Sequence, residues 1–176
     1  MTEPVAGRLE YLPHARDRVV ELTARHPFLV QSLCNQVFER AAAVGTRTVT
    51  ADQVMEAATE MVRDNEHFRT LWDYAGTERR RLLLALCDRL SKGPDAVNLD
   101  LLELKLDEAG VQVHRRRELG DDIAELRELE LIDFVDSPRG GSYRMSLPLM
   151  AKWLQENVDF SDVAARAQQE AMETQP

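Results

Sequence analysis

Apolar residues recur every three to four positions along most of this chain, and the pattern gives way to alternation only between residues 131 and 147. The first spacing buries one face of an α-helix, and the second buries one face of a β-strand. A chain patterned this way folds as packed helices with one small sheet. Its longest apolar run, Leu82 to Cys87, has six residues and is far short of a membrane span.

Punctuation divides the helical part. The segment from His14 to Ala24 carries Val19, Val20 and Leu22 among charges. Pro27 opens a stronger helix bearing Val30, Leu33, Cys34, Val37, Phe38 and Ala41, and Gly45 closes it. Thr48-Val49-Thr50 reads as a short extended link. Thr50 followed by Gln53 has capping-box spacing and starts a helix with Val54, Ala57, Ala58, Met61 and Val62. A short helix around Phe68, Leu71 and Trp72 comes next, and a boundary is expected near Tyr74 to Thr77.

Beyond that boundary three helices are expected, at Glu78 to Leu90, Leu99 to Ala109 and Arg115 to Leu129. Ser91-Lys92-Gly93-Pro94 separates the first two, and Gly110 with an extended Val111-Gln112-Val113 separates the last two. Two strand-like runs, 131–135 and 142–147, flank Asp136-Ser137-Pro138-Arg139-Gly140-Gly141, the signature of a hairpin with a longer loop. Pro148 opens a last helix with Leu149, Met150, Trp153 and Leu154 buried. The expected fold class is mainly α: a helical lid-like bundle, then a winged helix-turn-helix with a small β-hairpin wing. The divisions are residues 1–75, 76–160 and a flexible or helical tail at 161–176. That tail is read as solvated, since its few apolar residues offset little ordering entropy.

Thirty-one acidic residues against twenty-two basic give a formal charge of −9. Such a chain repels DNA in bulk, so a nucleic-acid role needs a local basic patch. Arg115, Arg116 and Arg117 open the third helix, and Arg139 and Arg144 flank the wing. These five are the candidate DNA or partner contacts. Arginines at a helix N-terminus oppose the macrodipole, which argues against a purely local role. Carboxylates share the same helix, Asp121 and Asp122 among them, and these two are read as solvated. Only weak, non-specific DNA binding is therefore expected.

Catalytic and cofactor motifs are missing from the sequence. It has no GxxxxGK[ST] loop for phosphates. His14, His26, His67 and His114 lie at no metal-ligand spacing and read as surface or helix-end residues, so no metal site is assigned. Cys34 and Cys87 sit on apolar stripes as buried, inert thiols in a reducing compartment. Met1-Thr2-Glu3-Pro4 lacks the basic and apolar regions of a secretory signal, and a cytoplasmic address is expected. The chain alone is read as no enzyme, with no cofactor of its own.

The stretch from Leu22 to Cys34, LTARHPFLVQSLC, resembles the lid motif of bacterial STAND and related AAA+ ATPases, L-T-x-G-x-P-[FY]-[LIF]-x-Q-x-L-C. Thr48 to Val54 is similar to their T-x-[VI]-T-x-x-D-V link, with the Asp one place early. Phe68-x-x-Leu71-Trp72 and a directly following winged helix extend the resemblance over residues 5–156. The resemblance implies a lid and winged helix without their P-loop core. It places Arg25, His26 and Pro27 near nucleotide when a core is present, with Arg25 standing where the family has glycine. ATP or ADP would then belong to a full-length protein, and the partners of this chain are a protein core or effector. Two readings result: a regulatory interaction module of such an ATPase, or a free-standing winged-helix DNA-binding regulator.

Overall fold

A computed structural model describes residues 9–63, 66–91, 96–113, 116–136 and 141–174. The chain forms two units, Met1–Asn65 with Leu147–Leu149, and Glu66–Ser146 with Met150–Pro176. The division falls ahead of the expected boundary, because the Phe68/Trp72 helix groups with the helices C-terminal to it.

The first unit contains α1 (Pro13–Thr23), α2 (Pro27–Val44) and α3 (Ala51–Arg63). Two-residue strands β1 (Glu10–Tyr11) and β2 (Thr48–Val49) pair in parallel beside them. Local chemistry sets each boundary. Pro13 and Pro27 occupy first-turn positions, where a missing N–H costs nothing. Gly45 ends α2 at φ +70, its N–H reaching the Ala41 and Ala42 carbonyls. The capping box is reciprocal: the Thr50 N–H donates to Gln53 Oε1 at 2.9 Å, and the Gln53 N–H donates to Thr50 Oγ1 at 3.3 Å. Val19, Leu29, Leu33, Val54, Ala57 and Val62 pack out of solvent between the helices.

The second unit opens with α4 (Glu66–Tyr74) and α5 (Glu78–Leu90). After these come β3 (Val97–Asn98), α6 (Leu99–Glu108), α7 (Arg116–Glu128), β4 (Ile132–Val135), β5 (Ser142–Met145), α8 (Pro148–Asn157, whose first two residues group with the first unit) and α9 (Phe160–Thr174). Helix, strand, helix, helix, then two strands, in an antiparallel sheet of order β3-β5-β4, is the topology of a winged helix. Phe134 pairs directly with Tyr143 across the hairpin, and their rings meet edge to face at 5.7 Å. The fold is thus mainly α, a helical bundle followed by a winged helix with a small hairpin wing.

Two local expectations change. The strand between helices sits at Val97–Asn98, and 111–113 is irregular. Gly110 (φ +76) and Val111 instead close α6, the Val111 N–H donating to the Leu106 carbonyl at 2.9 Å. The expected solvated tail is α9, which packs along α5 with Val163 and Ala167 fully buried. Its small apolar residues suffice because the middle of α5 is apolar on every side. Leu82 to Cys87 are all buried, with α6, α7, β5 and α9 packed around them.

Candidate interaction surfaces

In the first unit the lid-like motif folds as the turn between α1 and α2. Ala24 (φ +47) and Arg25 (φ +63) are both left-handed, and the His26 N–H closes the turn on the Thr23 carbonyl at 2.8 Å. Arg25 therefore adopts the backbone that glycine takes without strain, which accounts for glycine at that position of the pattern. The buried Thr23 hydroxyl donates to the Val19 carbonyl at 2.7 Å and anchors the end of α1. Arg25 and Pro27 are exposed, His26 is half-buried at the N-cap of α2, and Phe28 is an exposed aromatic next to them. The turn thus presents a cation, a rigid ring and a part-exposed aromatic side by side. Nearby, the Tyr11 hydroxyl and the Cys34 thiol share a hydrogen bond. Burial raises both acidities' pKa values above their ordinary range, and the Cys34 charge adds to that of Tyr11. Cys34 is half-buried rather than buried.

In the second unit α7 occupies the place of a winged helix's reading helix. Leu119, Ile123 and Leu126 point into the core, leaving Arg116, Arg117, Gly120, Asp121, Ala124, Arg127 and Glu128 in solvent. Arg116 is ion-paired to Asp100 of α6. The Arg127 guanidinium lies over the Phe134 ring of the wing at 5.5 Å. Arg117 and Arg144 are exposed and enter no ion pair among the described residues. Arg115, Arg139 and His114 lie outside the described residues. Of the five candidate arginines, Arg116, Arg117 and Arg144 are among the described residues, and the outward face of α7 carries Asp121 and Glu128 among Arg116, Arg117 and Arg127.

Asp122 departs from the expected solvated pair. It is 4% exposed, and its two oxygens accept from Arg79 Nε at 2.5 Å and Arg80 Nε at 2.9 Å. Glu118 and Glu125 extend the network at 3.8 and 3.9 Å, and Glu170 of α9 accepts from the Arg79 backbone N–H at 3.1 Å. The stripe of Leu119, Ile123 and Leu126 already places Asp122 on the inward side of the helix and Asp121 opposite it. Three consecutive arginines at the start of α5, against its dipole, were the available signal of buried acceptors. Arg81 completes the set, paired with Glu78 and 5.9 Å from the Trp72 ring.

Among the described residues no group of three or more His, Cys, Asp or Glu side chains is arranged to hold a metal. His14, His26 and His67 each sit at a helix start. No described helix is long and apolar enough to cross a membrane.

No protein-family model matches the chain, and no curated protein does. Among solved structures, the Aeropyrum pernix ORC2 protein in its ADPNP–ADP complexes is similar at 20% identity and a TM-score of 0.42. The likeness covers 83% of this chain and 35% of that one, so the chain spans about a third of the ORC2 structure's length.

Proposed function

We propose that the chain is a non-catalytic regulatory module, the lid and winged helix of a STAND-type AAA+ ATPase. It couples the nucleotide state of a core not contained in these residues to contacts with a protein partner. One observation carries the preference for protein over DNA. On the solvent face of α7, Asp121 and Glu128 stand among three arginines, of which Arg116 is paired to Asp100 and Arg127 lies over Phe134. Phosphates find little net attraction there, and the chain's −9 charge opposes them further. The lid assignment rests on the Leu22 to Cys34 motif and on Arg25 taking the glycine backbone that motif calls for. ATP or ADP would contact Arg25, His26 and Pro27 only when a core supplies the phosphate site. The chain alone is proposed to bind nucleotide weakly and to hydrolyse none. Two free thiols suit the reducing cytoplasm.

Fluorescence anisotropy with duplex DNA at two salt concentrations tests this reading. The expected outcome is binding no tighter than about 10⁻⁶ M at physiological salt, without sequence preference. A tight, selective complex overturns it in favour of a winged-helix DNA-binding regulator, the reading that exposed Arg117 and Arg144 favour. ATP turnover by the purified chain that disappears on Pro27→Ala overturns the non-catalytic assignment.

A further inference from the structure

The solvent side of α6 is built the wrong way round for an isolated helix. Leu102 and Leu106 are fully buried, so the opposite side centres on Leu104, with Leu101 next to it. Leu104 is 52% exposed and Leu101 36%. Asp100, Glu103 and Asp107 recur at i, i+3 and i+7 and form an acidic stripe along one flank of this leucine pair. Asp100 is paired to Arg116, but both groups are well exposed, and solvent leaves such a pair easily exchanged. The other flank carries Lys105, ion-paired to Glu108 at 2.6 Å.

An apolar seam beside a row of like charges is how one helix selects another, the apolar residues supplying contact and the flanking charges choosing the partner. We propose that the α6 face of Leu101 and Leu104 docks a basic amphipathic helix of a partner protein, with its lysines or arginines laid along Asp100, Glu103 and Asp107. The inference rests on the reading of the chain as a protein-interaction module and names the chemistry of the partner. A second copy of the chain is the wrong occupant. It would bring four more carboxylates and only one more lysine to the seam. Nucleic acid is excluded by the same stripe.

The test uses the full chain and a labelled synthetic helix of about 18 residues, with leucines at heptad spacing and lysines on the flanks, alongside an otherwise identical glutamate-flanked helix. The lysine helix is expected to bind with micromolar affinity that weakens as salt rises, and the glutamate helix at least about tenfold more weakly. Leu104→Asp and Asp107→Lys, both at solvent-facing positions, should each weaken the lysine helix about tenfold or more while circular dichroism stays unchanged. Equal binding of the two helices, failure of both, or binding unaffected by either substitution overturns the proposal. A dimer of the chain that Leu104→Asp dissociates also overturns it, by placing a second copy on the face. Failure of the peptide while DNA binding stays weak removes the α6 assignment alone. Tight, selective DNA binding removes the broader reading.

Discussion

The Asp122 carboxylate accepts from the Arg80 guanidinium at 2.9 Å, joining α7 to the first turn of α5 with the aspartate almost wholly out of solvent. Arg79 takes the second oxygen. Removing the acid leaves two guanidiniums facing each other in a part-buried site. Asp122→Ala is expected to cost about 2–4 kcal/mol in urea unfolding, against about 0.5 kcal/mol or less for its exposed neighbour in Asp121→Ala. Equal effects of the two would contradict the pairing.

Arg25 and Glu130 are non-glycine residues held at φ +63 and +56. A left-handed backbone costs an L-residue about 1–2 kcal/mol, and the greater freedom of glycine in the unfolded chain returns part of that gain. Arg25→Gly and Glu130→Gly should each stabilise by about 0.5–1 kcal/mol in thermal unfolding, and Arg25→Val should destabilise.

The capping box at α3 predicts coupled losses. Thr50→Ala should cost about 1 kcal/mol. Combining it with Gln53→Ala should cost less than the two single losses added, since each side chain bonds the other's backbone N–H. Additive losses in a double-mutant cycle would show two independent contacts.

Cys87 ties stability to alkaline pH. Burial pushes its thiol up to about 12, with neighbouring Asp88 adding to the shift. The folded chain then holds this proton more tightly than the unfolded one, whose thiol titrates near 9. The contribution is complete below pH 9 and is lost as pH rises from 9 toward 12, by about 1.4 kcal/mol per pH unit at most. Urea midpoints at pH 8 to 11 should fall more steeply for the native sequence than for Cys87→Ala. Ellman's reagent at pH 8 should reach Cys87 only as the protein unfolds.

Helix α9 should behave as part of the core. Val163→Asp places a charge where the side chain is fully buried against α5, and should cost about 3 kcal/mol or more. The same change at exposed Gln169 should be nearly silent. Proteolysis rates of the two variants distinguish these outcomes.

Features set within four residues were legible in advance: Pro27 opening α2, Gly45 closing it, and the Thr50–Gln53 box. The topology came from their order. Features made by distant partners were not legible. Asp122 shares the inward face of Leu119, Ile123 and Leu126, but the two arginines that pair with it come from α5, about forty residues earlier in the chain. Strand β3 has two residues and exists through its pairing with β5, which no local pattern encodes. The burial of α9 depends on the all-round apolar surface of the middle of α5. For the candidate surfaces, the family pattern located the Arg25 to Pro27 turn. For α6 only the helix limits were legible, and the exposure of Leu101 and Leu104 follows from the packing of Leu102 and Leu106.

The bond from the Arg79 N–H to Glu170 joins residues 91 positions apart, the first turn of α5 to the end of α9. At roughly 5–20 residues per second, a ribosome needs on the order of 5–20 s to synthesise the stretch between them. Through that interval the Leu82–Cys87 core helix waits without the helix that covers it. The winged-helix unit therefore cannot close strand by strand as it emerges, and its folding is governed by a late, long-range contact that slows the search and leaves apolar surface open to chaperones.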